Sequence, residues 1–139
     1  MAVRPSVEEL ESFSRAESGG FRVSVQSRYL PQHSRPVDHR YVWAYKIRIE
    51  NIGGPRAQLK TRHWIITDSK GQVEEVKGPG VVGRYPHLGQ GEAFEYSSGC
   101  PLSTSSGTMR GSFQMEGDDG TMFDIDVAPF LLSLPTNLN

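Results

Sequence analysis

Cysteine is almost missing from this chain of 139 residues, which contains Cys100 and no other. One cysteine excludes a disulfide within the chain and a zinc site built from several cysteines of one chain. Long hydrophobic runs are missing too, since none approaches the roughly 20 apolar residues that cross a bilayer. The first twenty residues carry arginine and glutamate and lack the apolar core of a secretory signal. We therefore expect a cytoplasmic protein with no membrane partner.

A strong net charge is missing as well, because 15 basic and 16 acidic residues leave a net charge of −1. Basic side chains are concentrated in residues 20–63 and acidic ones in residues 64–139. The chain as a whole is not basic, which argues against nucleic acid as a partner. Turn-forming residues are abundant instead, with 15 glycines and 9 prolines, and they favour many short strands over a few long helices.

Hydrophobic and polar residues alternate with a period of two along much of the chain, which indicates half-buried strands. Turn-forming residues separate seven such segments: 21–29, 41–50, 59–68, 72–77, 92–98, 108–116 and 123–127. Residues 78–91 are predicted as a long irregular connection. The pattern predicts an all-β protein, an immunoglobulin-like or fibronectin type III-like antiparallel sandwich of seven or eight strands. The domain is predicted to span residues 20–135, between an N-terminal extension (1–19) and a C-terminal tail (136–139).

The N-terminal extension is predicted to form a short helix. Ser6 and Glu9 have the spacing of a capping box, in which two side chains satisfy backbone N–H groups of the first turn. Roughly helical spacing is followed by four residues: Val7, Leu10, Phe13 and Ser14. Gly19-Gly20 would end the helix. Because so short a helix is marginal in water, we expect it to dock on the domain or to fray.

Three aromatic residues, Tyr41, Trp43 and Tyr45, share one face of a predicted strand. In a two-layer sandwich such a face is ordinarily core, which is the prediction here. A binding surface is the alternative, because Tyr and Trp are favoured at interfaces. Val42 and Ala44 place apolar groups on the opposite face, where the N-terminal segment or another chain would cover them. Since the edge strands of a sandwich invite pairing, we also predict a weak homo-oligomer.

Residues 78–83, Gly-Pro-Gly-Val-Val-Gly, match the G-x-G-x-x-G pattern of dinucleotide sites. That pattern needs a following helix, and Pro86 prevents one, so a Rossmann site is rejected. A glycine-rich loop can still bind an anion such as pyrophosphate or a nucleotide through backbone N–H groups. Five residues are candidates for this anion-binding loop: Gly78, Gly80, Gly83, Arg84 and Arg62. Alternatively, the glycines only permit positive φ and tight packing.

Metal binding has little support among the residues. No two of the four histidines have the spacing that places ligands side by side: His33, His39, His63 and His87. His33 and His39 flank a loop with Asp38 that could hold a transition metal weakly. The aspartates of residues 118–126 could hold a hard cation, but a solvated hairpin explains them more readily. His63 is predicted to be structural and bonded to backbone.

Catalysis has less support still. Cys100 precedes Pro101 with no base marked in the sequence, and no Gly-x-Ser-x-Gly elbow occurs. The paired glutamates at residues 74–75 lie on a predicted strand, where such charges usually form the solvated face. We therefore predict no catalytic residues, no enzyme activity and no cofactor, with a weakly bound divalent metal as the open alternative.

Several motifs occur in a fixed order along the chain: Tyr41-Val42-Trp43-Ala44-Tyr45, Ile49-Glu50-Asn51, Arg62-His63-Trp64-Ile65-Ile66-Thr67-Asp68, Val76 through Gly78-Pro79-Gly80-Val81-Val82-Gly83, Tyr96-Ser97-Ser98-Gly99 and Gly107-Thr108-Met109. Together they closely resemble the ApaG family, over residues from about Phe21 to Pro135. The resemblance implies a fibronectin type III-like sandwich. It brings no established enzymatic activity.

The resemblance also implies two kinds of function. Bacterial members are associated by name and neighbourhood with diadenosine-tetraphosphate metabolism and with cobalt and magnesium handling. Eukaryotic relatives carry the domain inside F-box proteins and a polymerase-delta-interacting protein, where it looks like a protein-interaction module. A free-standing chain of this length looks like the bacterial form. We expect a non-catalytic interaction module with an unidentified protein partner; the alternative is an accessory protein that binds a small anion or divalent cobalt or magnesium.

Overall fold

Nine strands and two single 3₁₀ turns are formed by residues 13–135, the part of the chain that the computed structural model describes. The strands are β1 (Phe13–Ser18), β2 (Phe21–Tyr29), β3 (Tyr41–Asn51), β4 (Ala57–Asp68), β5 (Val73–Pro79), β6 (His87–Leu88), β7 (Ala93–Leu102), β8 (Gly107–Gly117) and β9 (Met122–Leu132). The 3₁₀ turns, Pro31–His33 and Pro36–Asp38, connect β2 to β3. Within these residues no helix is long and apolar enough to cross a membrane.

The strands form two antiparallel sheets that enclose one core. The strand order is β1-β2-β3-β7 in one sheet and β5-β4-β8-β9 in the other, with β6 beside β4. Side chains alternate between the two faces of a strand, so every second residue enters the core. The predicted all-β sandwich is confirmed. The strands outnumber the seven or eight predicted, because β1 and β6 occupy segments predicted as a helix and as an irregular connection.

The aromatic face of β3 belongs to the core, as predicted. Trp43 is completely buried, and Tyr45 is 5% exposed. The indole N–H of Trp43 donates a hydrogen bond to the carbonyl oxygen of Ser133 (2.9 Å), so burial leaves its polar group satisfied. On the opposite face, Val42 and Ala44 are half-buried in a central strand flanked by β2 and β7.

The predicted N-terminal helix is wrong over residues Phe13–Ser18, which form β1 and pair with β2. Gly19-Gly20 is a hairpin turn and not a helix stop, because both residues have positive φ, 59° and 80°, as a two-residue turn of this kind requires. Ser14 is buried and Phe13 is 49% exposed, the reverse of what an apolar helix face would show. The other residues of that prediction lie outside the described range: Ser6, Val7, Glu9 and Leu10.

Serine side chains close one side of the sandwich, where β1 and β2 of one sheet meet β9 of the other. Three hydrogen bonds form this serine seam: Ser14 Oγ to the carbonyl of Ala128 (3.1 Å), Ser27 Oγ to the carbonyl of Leu131 (2.7 Å), and the backbone N–H of Asp126 to Ser18 Oγ (2.8 Å). Small polar residues fit here because they let the strands approach while satisfying backbone groups. On the opposite side of the sandwich, the edge strands of the two sheets are β5 and β7.

Candidate functional site

Arg62, on β4, contacts the predicted anion-binding loop through the carbonyl groups of that loop. Its Nη1 donates hydrogen bonds to the carbonyl oxygens of Pro79 (2.8 Å) and Gly80 (3.0 Å). The guanidinium lies over Gly78, where an added Cβ would be 3.0 Å from it. The structure thus brings Arg62, Gly78 and Gly80 together, in contacts within the protein.

The tip of this loop is a tight hairpin turn. The N–H of Arg84 donates to the carbonyl of Val81 (2.8 Å), and the N–H of Val81 donates to the carbonyl of Arg84 (2.9 Å). Val82 and Gly83 between them both have positive φ, 43° and 77°. At Gly80 φ is 61°, and a Cβ there would lie 2.6 Å from the carbonyl oxygen of Arg84. The turn geometry accounts for these glycines; anion binding by the loop stays a prediction.

The histidines and carboxylates considered as metal ligands do not converge. Among residues 13–135, no group of three His, Cys, Asp or Glu side chains is placed to hold a metal ion. His63 Nε2 lies 3.0 Å from Glu75 Oε1 on β5, so its partner is a carboxylate and not the predicted backbone group. Asp118 pairs with Arg56 (3.2 Å). Asp119 accepts a hydrogen bond from the N–H of Thr121, which lowers the pKa of its carboxyl.

The most distinctive surface is the outer edge of β7, which has no neighbouring strand within residues 13–135. Along an antiparallel ladder, hydrogen-bonded pairs alternate with non-hydrogen-bonded pairs. At one end of β7, the N–H of Asn51 donates to the carbonyl of Glu92 (3.0 Å), which sets the phase of the ladder with β3. The even residues of β7 therefore bond β3. The backbone groups of the odd residues point to the open edge.

Four odd residues present both a backbone N–H and a carbonyl at this edge, and all are exposed: Ala93, Glu95, Ser97 and Gly99. Three of them have small side chains or none, which leaves the backbone accessible. The fourth, Glu95, is paired with Lys46 (3.3 Å) and Arg48 (3.4 Å) of β3, on the outer face of the sheet. The open edge ends at Pro101, which has no N–H. We call residues 93–99 the β7 edge.

The edge of β5, on the same side of the sandwich, is protected against pairing. Asp68 donates its N–H to the carbonyl of Gln72 (3.0 Å), so the odd residues of β5 face the edge by the same alternation. Pro79 is one of them; it has no N–H, and Arg62 occupies its carbonyl. Glu74 adds a charge on the inward side, opposite Ile66. Proline and inward charges are recognised means of blocking an edge strand, and the β7 edge has neither.

A groove lies at the start of the β7 edge, between residues 84–88 and the first residues of β7. Its volume is about 310 Å³. Arg84, His87 and Glu92 supply its charged or ionisable side chains, and Tyr85, which is 46% exposed, supplies an aromatic one. We call it the arginine groove.

A second groove lies at the other end of β7, between the turn that joins β4 to β5 and the end of β7. Its volume is about 220 Å³, and its charged side chains are Asp68 and Glu74. Val73 supplies an apolar surface that is 62% exposed, and Leu102 contributes another wall. We call it the acidic groove. The two grooves thus flank the β7 edge.

Cys100, on the inward side of β7, is a buried thiol whose surroundings disfavour the thiolate. It is 3% exposed, and burial, followed by the nearby carboxylate of Glu74, raises the pKa of its thiol to about 11. Its sulfur lies 3.8 Å from the carbonyl of Pro101, its only hydrogen-bond partner within the described residues. A thiol with so high a pKa is almost fully protonated at neutral pH, which disfavours its attack on electrophiles.

Because the thiol of Cys100 is buried, we expect the free energy of unfolding to fall at alkaline pH. Its folded pKa of about 11 exceeds the ordinary value of 9.0, so the neutral form stabilises the fold below pH 9, and this contribution is lost as pH rises through 11. We expect the free energy of unfolding to fall by about 2–3 kcal/mol over this window. Burial also raises the pKa of Tyr45 and Tyr96, which adds to the fall above pH 10.

Urea unfolding between pH 7 and 11 measures this effect, with Cys100→Ala as the matched variant. The variant should lose the part of the slope between pH 9 and 10, where the unfolded thiol ionises ahead of the tyrosines. A slope unchanged in Cys100→Ala would show that the thiol is not the cause.

Sequence reasoning missed the β7 edge. The residue pattern contained a signal, because small residues occupy three of the four alternate positions from Ala93 to Gly99, and Glu95 occupies the fourth. That signal cannot be interpreted without the sheet order, which makes β7 an edge strand beside β3.

A two-sheet antiparallel sandwich with one closed side and one open strand edge is the class of protein that these features define. A family model described as the ApaG domain matches residues 31–117. The chain is 50% identical to Protein ApaG of Brucella anthropi over 121 residues, 87% of this chain and 93% of that protein. It is 51% identical to Protein ApaG of Bordetella pertussis over 117 residues, 84% and 89% of the two chains. The chain therefore belongs to the ApaG family.

A solved structure supports the same relationship. The crystal structure of a Bordetella pertussis protein described as ApaA superposes with a TM-score of 0.81 at 46% identity, covering 91% of this chain and 98% of that one. The names of these relatives identify the family and state no activity.

Proposed function

We propose that this protein is a non-catalytic, cytoplasmic interaction module, of fibronectin type III-like architecture, that binds an extended segment of a partner protein along the β7 edge. The observation that carries the proposal is the row of exposed backbone N–H and carbonyl groups on Ala93, Glu95, Ser97 and Gly99. Addition of a strand to an open sheet edge is a general mode of peptide recognition, in which main-chain hydrogen bonds give affinity and adjacent pockets give specificity.

The two grooves support this mode of binding. They lie at the two ends of the β7 edge, where each would receive a side chain from one end of an added strand. Exposed Tyr85 and Val73 offer apolar contact in each. Each backbone hydrogen bond contributes about 1 kcal/mol, and ordering of the peptide opposes binding, so we expect dissociation constants of about 10–100 µM.

Selection from a random peptide library displayed on phage, followed by NMR titration, tests the proposal. Selected peptides should shift the amide resonances of the odd residues of β7, whose N–H groups point outward. Ser97→Pro removes one outward N–H and should weaken binding about fivefold or more, because one backbone hydrogen bond contributes about 1 kcal/mol. Ser97→Ala, the matched control, should bind normally. Sedimentation of both variants also reports the predicted weak self-association, which would use the same edge.

Two results would contradict the proposal. One is selected peptides that shift resonances elsewhere and leave β7 unmoved. The other is binding of Ser97→Pro that equals binding of the wild type.

A further inference from the structure

The two ends of the β7 edge differ in charge. The acidic groove contains the carboxylates of Asp68 and Glu74, and no basic side chain lines it. One oxygen of Asp68 accepts hydrogen bonds from the N–H groups of Lys70 and Gln72, both at 2.9 Å, which holds that carboxylate in place. Glu74 is exposed and belongs to none of the salt bridges of residues 13–135. A cationic side chain would complement this end.

The arginine groove differs from the acidic groove because it contains a basic side chain, Arg84, together with one carboxylate, that of Glu92. Arg84 belongs to none of the salt bridges found in the described part of the chain, so its guanidinium is available to a ligand. The carboxylate of Glu92, the acid in this groove, accepts a hydrogen bond from the N–H of Gly89 (2.6 Å) and is turned toward its own loop. An anionic side chain or a terminal carboxylate would complement this end.

The spacing of the grooves fixes the spacing of the charges in a partner strand. The grooves adjoin Phe94 and Leu102, which are eight residues apart on β7. Residues of an added strand at positions i and i+8 have the same parity, so both point to the inward side of the sheet, where the grooves lie. Eight residues of strand span roughly 27 Å.

Antiparallel addition fixes the order of the charges. Every strand pair of both sheets is antiparallel, and antiparallel ladders are slightly more stable per residue. In that direction, the N-terminal end of the partner lies at the acidic groove beside Leu102, and its C-terminal end lies at the arginine groove beside Phe94. We propose that the partner is an extended segment with Lys or Arg at one position and Asp or Glu eight residues later. This inference rests on the proposed function and names the partner chemistry of that same edge.

Two designed peptides of identical composition test the order of charges. Both alternate valine and threonine over nine residues and have blocked termini; one begins with Lys and ends with Glu, and the other has the two charges exchanged. We expect the Lys-first peptide to bind about tenfold more tightly, because each exposed charge pair contributes modestly. The difference should shrink at about 0.5 M salt, which screens exposed charges.

A charge-reversed variant provides the matched control. Glu74→Lys combined with Arg84→Glu exchanges the charges of the two grooves, leaves the β7 backbone unchanged, and should reverse the preference between the peptides. Both substitutions are at exposed positions, and thermal unfolding verifies that the variant folds.

The outcomes separate this inference from the function on which it rests. If both peptides shift the β7 amide resonances with equal affinity, or the Glu-first peptide binds more tightly, the charge order is wrong and strand addition stands. If neither peptide shifts the resonances of the odd residues of β7, both proposals are overturned.

Discussion

Replacement of Trp43 by alanine is expected to lower the free energy of unfolding by about 3–5 kcal/mol. Trp43 is fully buried, and its ring lies 5.5 Å from that of Tyr29 and 6.5 Å from that of Tyr41, measured between centroids. Alanine would leave a large cavity and would remove the donor to the carbonyl of Ser133. Because domains of this size are stable by only about 5–15 kcal/mol, the loss would approach the whole stability of a weak fold.

Urea denaturation followed by circular dichroism measures this loss. Val37→Ala is the control, because Val37 is 83% exposed and should change stability by less than about 0.5 kcal/mol. A loss below about 1 kcal/mol for Trp43→Ala would mean that the aromatic face of β3 is not the core of the domain.

Proline at Ser98 is expected to destabilise the fold by roughly 3 kcal/mol, whereas proline at the adjacent Ser97 should cost less than about 1 kcal/mol. Ser98 pairs with Tyr45 in the hydrogen-bonded phase of the β3–β7 ladder, so proline removes an internal bond. The N–H of Ser97 points to the open edge, where proline is tolerated. Proline at two neighbouring serines of one strand should thus cause losses of stability that differ clearly in size.

Thermal unfolding of Ser97→Pro and Ser98→Pro measures the two losses of stability. Ser98→Ala separates the effect of losing the hydroxyl from the effect of losing the backbone N–H, because alanine keeps the N–H that pairs with Tyr45. Equal losses at positions 97 and 98 would refute the assigned phase of the ladder, and with it the outward direction of the β7 edge.

The strands that could be predicted from the sequence are those in which large apolar residues alternate with polar ones. β3 is the clearest case, because Trp43, Tyr45 and Ile47 all enter the core. β1 escaped prediction because its buried face is made of small residues such as Ser14, and its pairing depends on contacts with β9, over a hundred residues away. The hydrophobic periodicity of the segment reveals neither that its small residues are buried nor that it contacts β9.

The candidate site was harder to predict than the fold. The glycines of the loop at residues 78–84 form a motif in the sequence. The structure explains Gly80 and Gly83 by a turn in which Val82 itself has positive φ, and Gly78 by the guanidinium of Arg62 packed over it. The β7 edge has no motif. It exists because β7 pairs with β3 and with no further strand in the described chain, and sheet order of this kind depends on the whole fold.

The serine seam also constrains how the protein is made. Its hydrogen bonds join residues separated by 114, 104 and 108 positions along the chain. During synthesis the β1–β2 hairpin therefore leaves the ribosome about a hundred residues before its closing partner, β9. Long-range contacts of this kind form late and slow folding. A nascent chain therefore carries two open sides until β9 is translated, and during that interval the β1–β2 hairpin is exposed to pairing with other chains.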